Sequence, residues 1–396
     1  MENVYVGIDV SQRKCDASIK DRSHNELVEP IVFEPNMEGI DKLLKVVTEV
    51  CKRLKAEPIF GMESTGIYHL PIYAELTALD YTVKVYNPTQ INAFSKKSLR
   101  KTQTDKIAAR TIADALSYEG VPRERHVDKE TMKLREYCRI RHRLNKKASN
   151  AKRQIARDMD LTFRDYRRVF KDIRGKASRT LLKEYTTSQA ICDLGEKELT
   201  KVLRTNSGGV LGQERAKKLL EACDKNIRSN LEEPCVEEIR YLLQLIELME
   251  EQISDLDKKI TKCFDQDSEL MTISGIGEVN GAIIYSELGN IDDFEDGSDI
   301  VAFSGLDPSI KESGKFKGTK HHISKRGSPY LRSALYSSAV VASRCNPVCK
   351  RFYERLLARG VPKKAALCAV ARKLCYIIFS VMKNKRPFYV PEDLKK

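Results

Sequence analysis

The first third of the chain is built from short apolar runs, and the rest from helical spacing. Residues 4–10 (VYVGIDV) are almost continuously apolar and carry one acid, Asp9, near their end, which predicts a buried strand. Residues 14–20 and 27–33 predict two more strands, the second ending before Pro35, in an antiparallel meander. Over 37–54 the apolar residues Ile40, Leu43, Leu44, Val47, Val50 and Leu54 recur at the period of a helix. A short buried strand at 58–63 again closes on an acid, Glu63. A helix is expected over 67–79, a strand over 81–86 closed by Pro88, and a helix from Asp105 to about residue 118 with Thr104 as its cap. Strands alternating with helices after a meander predict an α/β domain with a mixed sheet.

Beyond residue 130 the pattern is helical. Residues 133–157 form a long helix with a thin apolar seam of Tyr137, Leu144, Ala148, Ala151 and Ile155. Glycines break 164–230 into short helices such as 196–204 and 213–224. Ile239, Leu242, Ile246, Met249, Ile253, Leu256, Ile260 and Cys263 then follow at alternating steps of three and four, a heptad seam that packs against the basic helix of its own chain or against another copy. Ile273-Ser-Gly275-Ile-Gly277 before an apolar helix has the form of a helix–hairpin–helix start, whose backbone N–H groups can meet a phosphate. Helices are expected at 330–344, 347–359 and 363–383, the last apolar but broken by Arg372 and Lys373, so a core helix and not a membrane span.

Charge changes this picture. Lys and Arg number 70 against 56 Asp and Glu, a net charge of +14, which points to a polyanionic partner, nucleic acid before membrane. Between 133 and 157 there are ten Lys/Arg and one acid, so Arg139, Arg143, Lys147 and Arg153 are candidate phosphate contacts. The N-terminal run enters a strand directly, which predicts no signal peptide. The 11 cysteines are irregularly spaced without a C-x-x-C, so reduced thiols are expected and zinc is not.

Two places suggest chemistry. Asp9, Glu63 and Asp105 stand at two strand ends and one helix start, and carboxylates gathered so bind Mg²⁺ through oxygen, two such ions clamping a phosphodiester. Taken singly, Asp105 also suits a helix N-terminus and Glu63 a turn. The second place is 303–332, where Ser313-Gly314 lies beside Glu312 among Lys311, Lys315, Lys317, Lys320, Lys325, Arg326 and Arg332. A hydroxyl among cations, on glycine-rich backbone, suits phosphate chemistry; the plain alternative is a solvated basic loop.

The motifs GIDVS (7–11), GMESTG (61–66) and KTQTDKIAAR (101–110) resemble the RuvC-like DEDD domain of the Piv-related insertion-sequence transposase family (number one-ten), described as bridge-RNA-guided serine recombinases. Gly275–Gly277, FSGLDP (303–308), Ser313-Gly314 and Ile323 to Arg332 are similar, in order, to the transposase domain of the same family. Asp9, Glu63 and Asp105 match its first three acids. Its fourth falls at Ala108, and Asp114 does not replace it, lying nine residues on at ~100° each, on the opposite face and ~13 Å along. The metal site is therefore short of one carboxylate, or another ligand stands in.

The resemblance implies an α/β RuvC-like, RNase H-type mixed sheet at 1–125, a helical coiled-coil assembly region at 126–265, and a mainly helical domain with the serine nucleophile at 266–396. It implies a DNA transposase or recombinase with Ser313 as nucleophile and Asp9, Glu63 and Asp105 on Mg²⁺, with DNA and a structured guide (bridge) RNA as partners. A homo-oligomer, dimer or tetramer, is expected, in the bacterial cytoplasm at the nucleoid. The alternatives are a metal-dependent Holliday-junction-type nuclease and a catalytically weakened nucleic-acid-binding scaffold.

Overall fold

The computed structural model describes residues 2–64, 67–86, 91, 94, 105–118, 128–173, 175–227, 231–309, 312–313, 316–317 and 322–392, with backbone alone for 2, 312, 313, 316 and 317. Thr104, Lys311, Gly314, Lys315 and Lys320 lie outside the described residues. The chain divides into two units, Met1–His126 and Val127–Lys396.

In the first unit, β1 (Glu2–Val10), β2 (Cys15–Lys20) and β3 (Ile31–Phe33) form the meander. Next come α1 (Met37–Leu54), β4 (Ala56–Glu63), α2 (His69–Ala78), β5 (Thr82–Tyr86) and α3 (Asp105–Ser117). The sheet order is β3-β2-β1-β4-β5, antiparallel on the meander side and parallel from β1 through β5. Residues 27–30 are not strand: Pro30 has no N–H for a ladder, and pairing with β2 resumes only at Ile31.

Period-2 alternation makes the layers. Val4, Val6, Ile8 and Val10 enter a core with Ile40, Leu43 and Val47 of α1 and Ile72 and Leu76 of α2. The opposite face of β1 carries Tyr5, Gly7 and Asp9 and is covered by α3, where Tyr5 packs with Ile112 and Leu116.

The second unit is helical. Its spine is α4 (Lys129–Thr162), with α5 (Tyr166–Val169), α6 (Lys176–Glu184), α7 (Ser188–Asp193), α8 (Gly195–Asn206) and α9 (Gln213–Asp224) leading back to α10 (Glu232–Cys263). Then follow α11 (Glu278–Leu288), α12 (Gly297–Ser304), a hairpin of β6 (Glu312–Ser313) and β7 (Phe316–Lys317), α13 (Pro329–Cys345), α14 (Pro347–Ala358) and α15 (Lys363–Asn384).

Helices α4 and α10 run antiparallel for about 50 Å. At one end Ile155 and Met159 share a core with Ile239 and Leu243; at the other Leu134 and Cys138 share one with Ile260 and Phe264. The heptad seam is thus used within the chain. Ile239, Ile246, Met249, Leu256 and Ile260 are buried as predicted, and the register differs at two places: Leu243 is buried and Leu242 only half so, while Cys263 is exposed and Phe264 buried. A helix turns every 3.6 residues, so its buried stripe drifts from a 3.5 repeat.

The hairpin is also matched in charge. Arg141 pairs with Asp257, Lys152 with Glu250 at 2.9 Å and Arg157 with Glu238 at 3.4 Å. From α6, Arg179 reaches Glu250 at 2.6 Å and Lys183 reaches Glu247 at 2.5 Å. Helix α15 is long and apolar enough to cross a membrane by length and composition, but Ala366, Val370, Leu374, Cys375 and Ile378 are buried in the C-terminal core. All eleven cysteines are free thiols.

Candidate active site

Two glycines set the carboxylate end of the sheet. A Cβ on Gly7 would lie 2.3 Å from both Ala109 O and Ala113 N, and one on Gly61 would lie 2.7 Å from Leu116 Cδ1. Only glycine lets α3 settle this closely on β1 and β4. Asp9 and Glu63 stand two residues beyond these glycines, so the alternation puts both on the α3 side. Asp105 begins α3, where a carboxylate also suits the helix dipole.

These acids feel one another. Burial first, then the charges of Asp105, Glu63 and Asp16, push the Asp9 carboxyl up to about 6, with Lys14 pulling the other way. Lys14 Nζ sits 3.1 Å from Asp105 Oδ2 and 3.4 Å from Asp16 Oδ2. The all-oxygen donor set is right for a hard divalent cation. With Lys14 among the acids, no group of three His, Cys, Asp or Glu among the described residues is drawn together to hold an ion. Ala108 lies half-buried on α3 and offers no donor. Asp114 is engaged elsewhere, accepting from Lys20 Nζ at 2.6 Å.

The serine lies in the second unit. Ser313 belongs to β6, its backbone opposite Phe316 of β7. The base of this loop is pinned. Gly305 takes φ +65°, Lys325 N–H donates to Gly305 O at 3.0 Å, and Ser328 N–H donates to Phe303 O at 2.8 Å. The nearby hydroxyls are committed: Ser309 Oγ donates to His322 O at 3.0 Å and Ser324 Oγ to Asp307. Arg332 is a structural residue, its guanidinium donating to Ser304 O at 2.9 Å. Lys325 and Arg326 are exposed at this base.

Residues 6–164 match the model for the DEDD transposases of the IS110 type, and residues 267–354 match that of the transposase IS116/IS110/IS902 family. The first span holds Asp9, Glu63 and Asp105; the second holds Ser313. The chain belongs to this transposase family. It is similar along nearly its whole length to the pilin gene-inverting proteins of Moraxella bovis and Moraxella lacunata, each 23% identical over 389 residues and 98% of both chains. The uncharacterized 44.8 kDa protein of insertion element IS116 from Streptomyces clavuligerus is 25% identical over 224 residues, 56% of each chain.

The basic helix α4 has two kinds of cation. Arg139 is not free for phosphate: it makes a two-point ion pair with buried Glu287 of α11, at 2.7 and 3.2 Å, and its guanidinium stacks 5.1 Å from the Tyr330 ring. Glu287 also accepts from Ser328 Oγ at 2.9 Å, which ties α4 to the base of the Ser313 loop. Arg143, Lys147 and Arg153 are exposed. A cavity of about 420 Å³ takes in Arg153 but not Arg143 or Lys147, and is lined by His142, Lys146, Asn150 and Arg153 of α4, Asn280 of α11, and Tyr330 and Ser333 of α13. Burial, then Lys146, Arg141 and Arg143, holds the His142 imidazole below its ordinary pKa, a sign of a positive groove.

Gly275, at φ +105°, packs its backbone against Ala342, 2.6 Å from where a Cβ would be, so its glycine is required by packing. Gly277 precedes the N-terminus of α11 with open space around it. Sequence reasoning missed Lys14, Asp16, His142, Lys146 and Glu287. Of these, Asp16 had a signal: a polar residue two places inside a strand, paired in the meander with the residue already singled out.

Proposed function

We propose that this transposase is a DNA recombinase that cuts and rejoins DNA through a phosphoserine link. The observation that carries the reading is the crowding of acids on Asp9 beneath a helix seated on glycine. Such like-charge crowding in a partly buried site is costly without a cationic ligand. The first unit is then a RuvC-like, RNase H-type domain, residues 126–265 an assembly region, and 266–396 the serine domain with its helix–hairpin–helix-like start.

In the chemistry, Ser313 Oγ attacks the scissile phosphorus. The Oγ–P bond forms as the bond from phosphorus to a deoxyribose oxygen breaks, and the serine proton ends on the deoxyribose oxygen that is released. Rejoining is the reverse attack by a deoxyribose hydroxyl, so no nucleotide cofactor is consumed. Asp9, Glu63 and Asp105 would hold Mg²⁺, which would supply Lewis-acid polarisation of a phosphate. Lys325, Arg326 and the loop lysines Lys311, Lys315, Lys317 and Lys320 balance the phosphoryl charge. The groove along α4, with Lys146 and Arg153, and the exposed Arg143 and Lys147 of the same helix take nucleic-acid backbone, including a structured guide RNA.

Assembly into a dimer or tetramer has support in Tyr241, Leu245 and Leu248, exposed 64%, 46% and 51% on successive turns of α10. Action on chromosomal DNA puts the protein in the bacterial cytoplasm. The test is recombination in cells carrying the element with its flanking DNA, read by amplification across new junctions. Junctions should form with the wild type and disappear with Asp9→Asn or Ser313→Ala. Junctions at wild-type frequency in both variants would end the reading.

A further inference from the structure

We propose that Asp16 is the fourth carboxylate of the metal site, in place of the acid that position 108 lacks, and that Lys14 is the cation the metal displaces. The inference rests on the metal-dependent reading above and adds a ligand to it.

Asp16 is Asp9's direct partner across β1 and β2. Residues opposite one another in an antiparallel pair project to the same face, with Cβ atoms about 5 Å apart. Asp16 therefore shares the α3 side with Asp9, and its charge is one of those that push Asp9 up. Its exposure is 1%, and among the described residues neither carboxylate oxygen has a hydrogen-bond partner. Lys14 Nζ comes within 3.4 Å of one oxygen, an ion-pair contact that falls outside hydrogen-bond geometry. A buried carboxylate whose one cationic contact is a half-exposed lysine is costly, and folds retain few of them without a ligand to repay the cost.

Lys14 marks where a cation goes. Its ammonium bridges Asp16 and Asp105, one acid from the sheet and one from α3. Its side chain is 51% exposed, so it can swing into solvent without disturbing the core. Asp105 is also exposed and can rotate. A divalent ion in the ammonium's place would draw the same oxygens inward, since Mg²⁺–oxygen distances are about 2.1 Å. Asp16 on the sheet thus substitutes for a second acid on the helix, with the same charge and donor atoms from another direction.

The test is Mn²⁺ binding to the full-length chain, read from the loss of the free-ion signal in electron paramagnetic resonance. Asp9→Asn and Asp16→Asn should each weaken binding by about tenfold or more, because each removes a charged oxygen ligand. Lys14→Met should tighten binding several-fold by removing the competing cation. Ala108→Asp placed on Asp16→Asn should recover much of the loss. Folded Asp16→Asn that binds Mn²⁺ as the wild type does would overturn the inference while leaving the metal reading intact if Asp9→Asn still fails to bind. If Asp16→Asn does not fold, Lys14→Met decides, and unchanged affinity there overturns it. No Asp9-dependent Mn²⁺ binding in the wild type would remove both.

Discussion

Charge is arranged in opposite ways in the two units. Along α4 and α10, bases meet acids: Arg141 with Asp257, Lys152 and Arg179 with Glu250, Lys183 with Glu247, Arg139 with Glu287. At the end of the sheet, Asp105, Glu63 and Asp16 all raise the pKa of Asp9, and Lys14 stands among them. Arg179 and Lys152 hold the Glu250 carboxyl below its ordinary value, whereas Asp9 is driven up. Matched charge keeps two helices in register. Concentrated like charge does nothing for the fold, so its presence under α3 points to a ligand. The same contrast divides α4 itself, whose Arg139 is structural while Lys146 and Arg153 line an open groove.

The comparison breaks most sharply at Glu287. Glu287→Ala would take from the Arg139 guanidinium its buried partner, leaving exposed Glu136 at 3.4 Å, and release Ser328, at a cost of about 3 kcal/mol. Denaturant unfolding of the helical unit checks it; a loss under about 1 kcal/mol would mean that the matched pairs do not hold the fold. Next comes Gly7→Ala. Its Cβ would strike α3 backbone, so α3 must lift, costing about 1–3 kcal/mol and moving Asp105 away from Asp9. Thermal unfolding together with Mn²⁺ affinity should show both falling; stability lost without affinity would separate the helix seat from the site.

Nucleic acid binding gives a smaller effect. Lys146→Ala with Arg153→Ala should reduce the slope of log affinity against log salt by about 1.4–1.8, since each phosphate contact contributes about 0.7–0.9. Neutralising Arg139 should instead act through stability. An unchanged slope in the double variant would make the groove cations solvated bystanders. The smallest expected effect is at Asp9 in the metal-free protein. A carboxyl whose folded pKa is raised from 3.8 to about 6 binds its proton more tightly folded than unfolded, so stability falls as pH rises between those values. Asp9→Asn should therefore raise the melting temperature at pH 7.5 by a few degrees, with the gain shrinking to nothing below about pH 4. A melting temperature lowered at both pH values would show that Asp9 stabilises the fold.

Much of the fold was legible because its elements carry strong local signals. Helix α1 begins and ends where the apolar period does, and the meander followed by strand–helix alternation led to a mixed sheet. Residues 27–30 were misread because Val28 looks like strand, while Pro30 acts through a missing ladder donor. The seam of α10 was read correctly at Ile239, Ile246, Met249, Leu256 and Ile260 and one position off at Leu242 and Cys263, because a heptad template ignores the drift of a straight helix. Asp9, Glu63 and Asp105 stood out as candidates by their places at element ends. Asp16, though a polar residue within a strand, was passed over because its register with Asp9 and its burial depend on partners. Arg139 was read as a phosphate contact because Glu287 lies far away in sequence.

The most direct measurement is a trapped reaction on a denaturing gel. Labelled DNA bearing the element ends, with flanking DNA transcribed as RNA, is incubated with Mg²⁺ and the wild type, Ser313→Ala or Asp9→Asn. A protein–DNA adduct that survives detergent and is removed by protease should appear with the wild type and be absent from both variants, while Ser313→Ala still binds the DNA. An undiminished adduct with Ser313→Ala, or cleaved DNA without any adduct, would contradict the account.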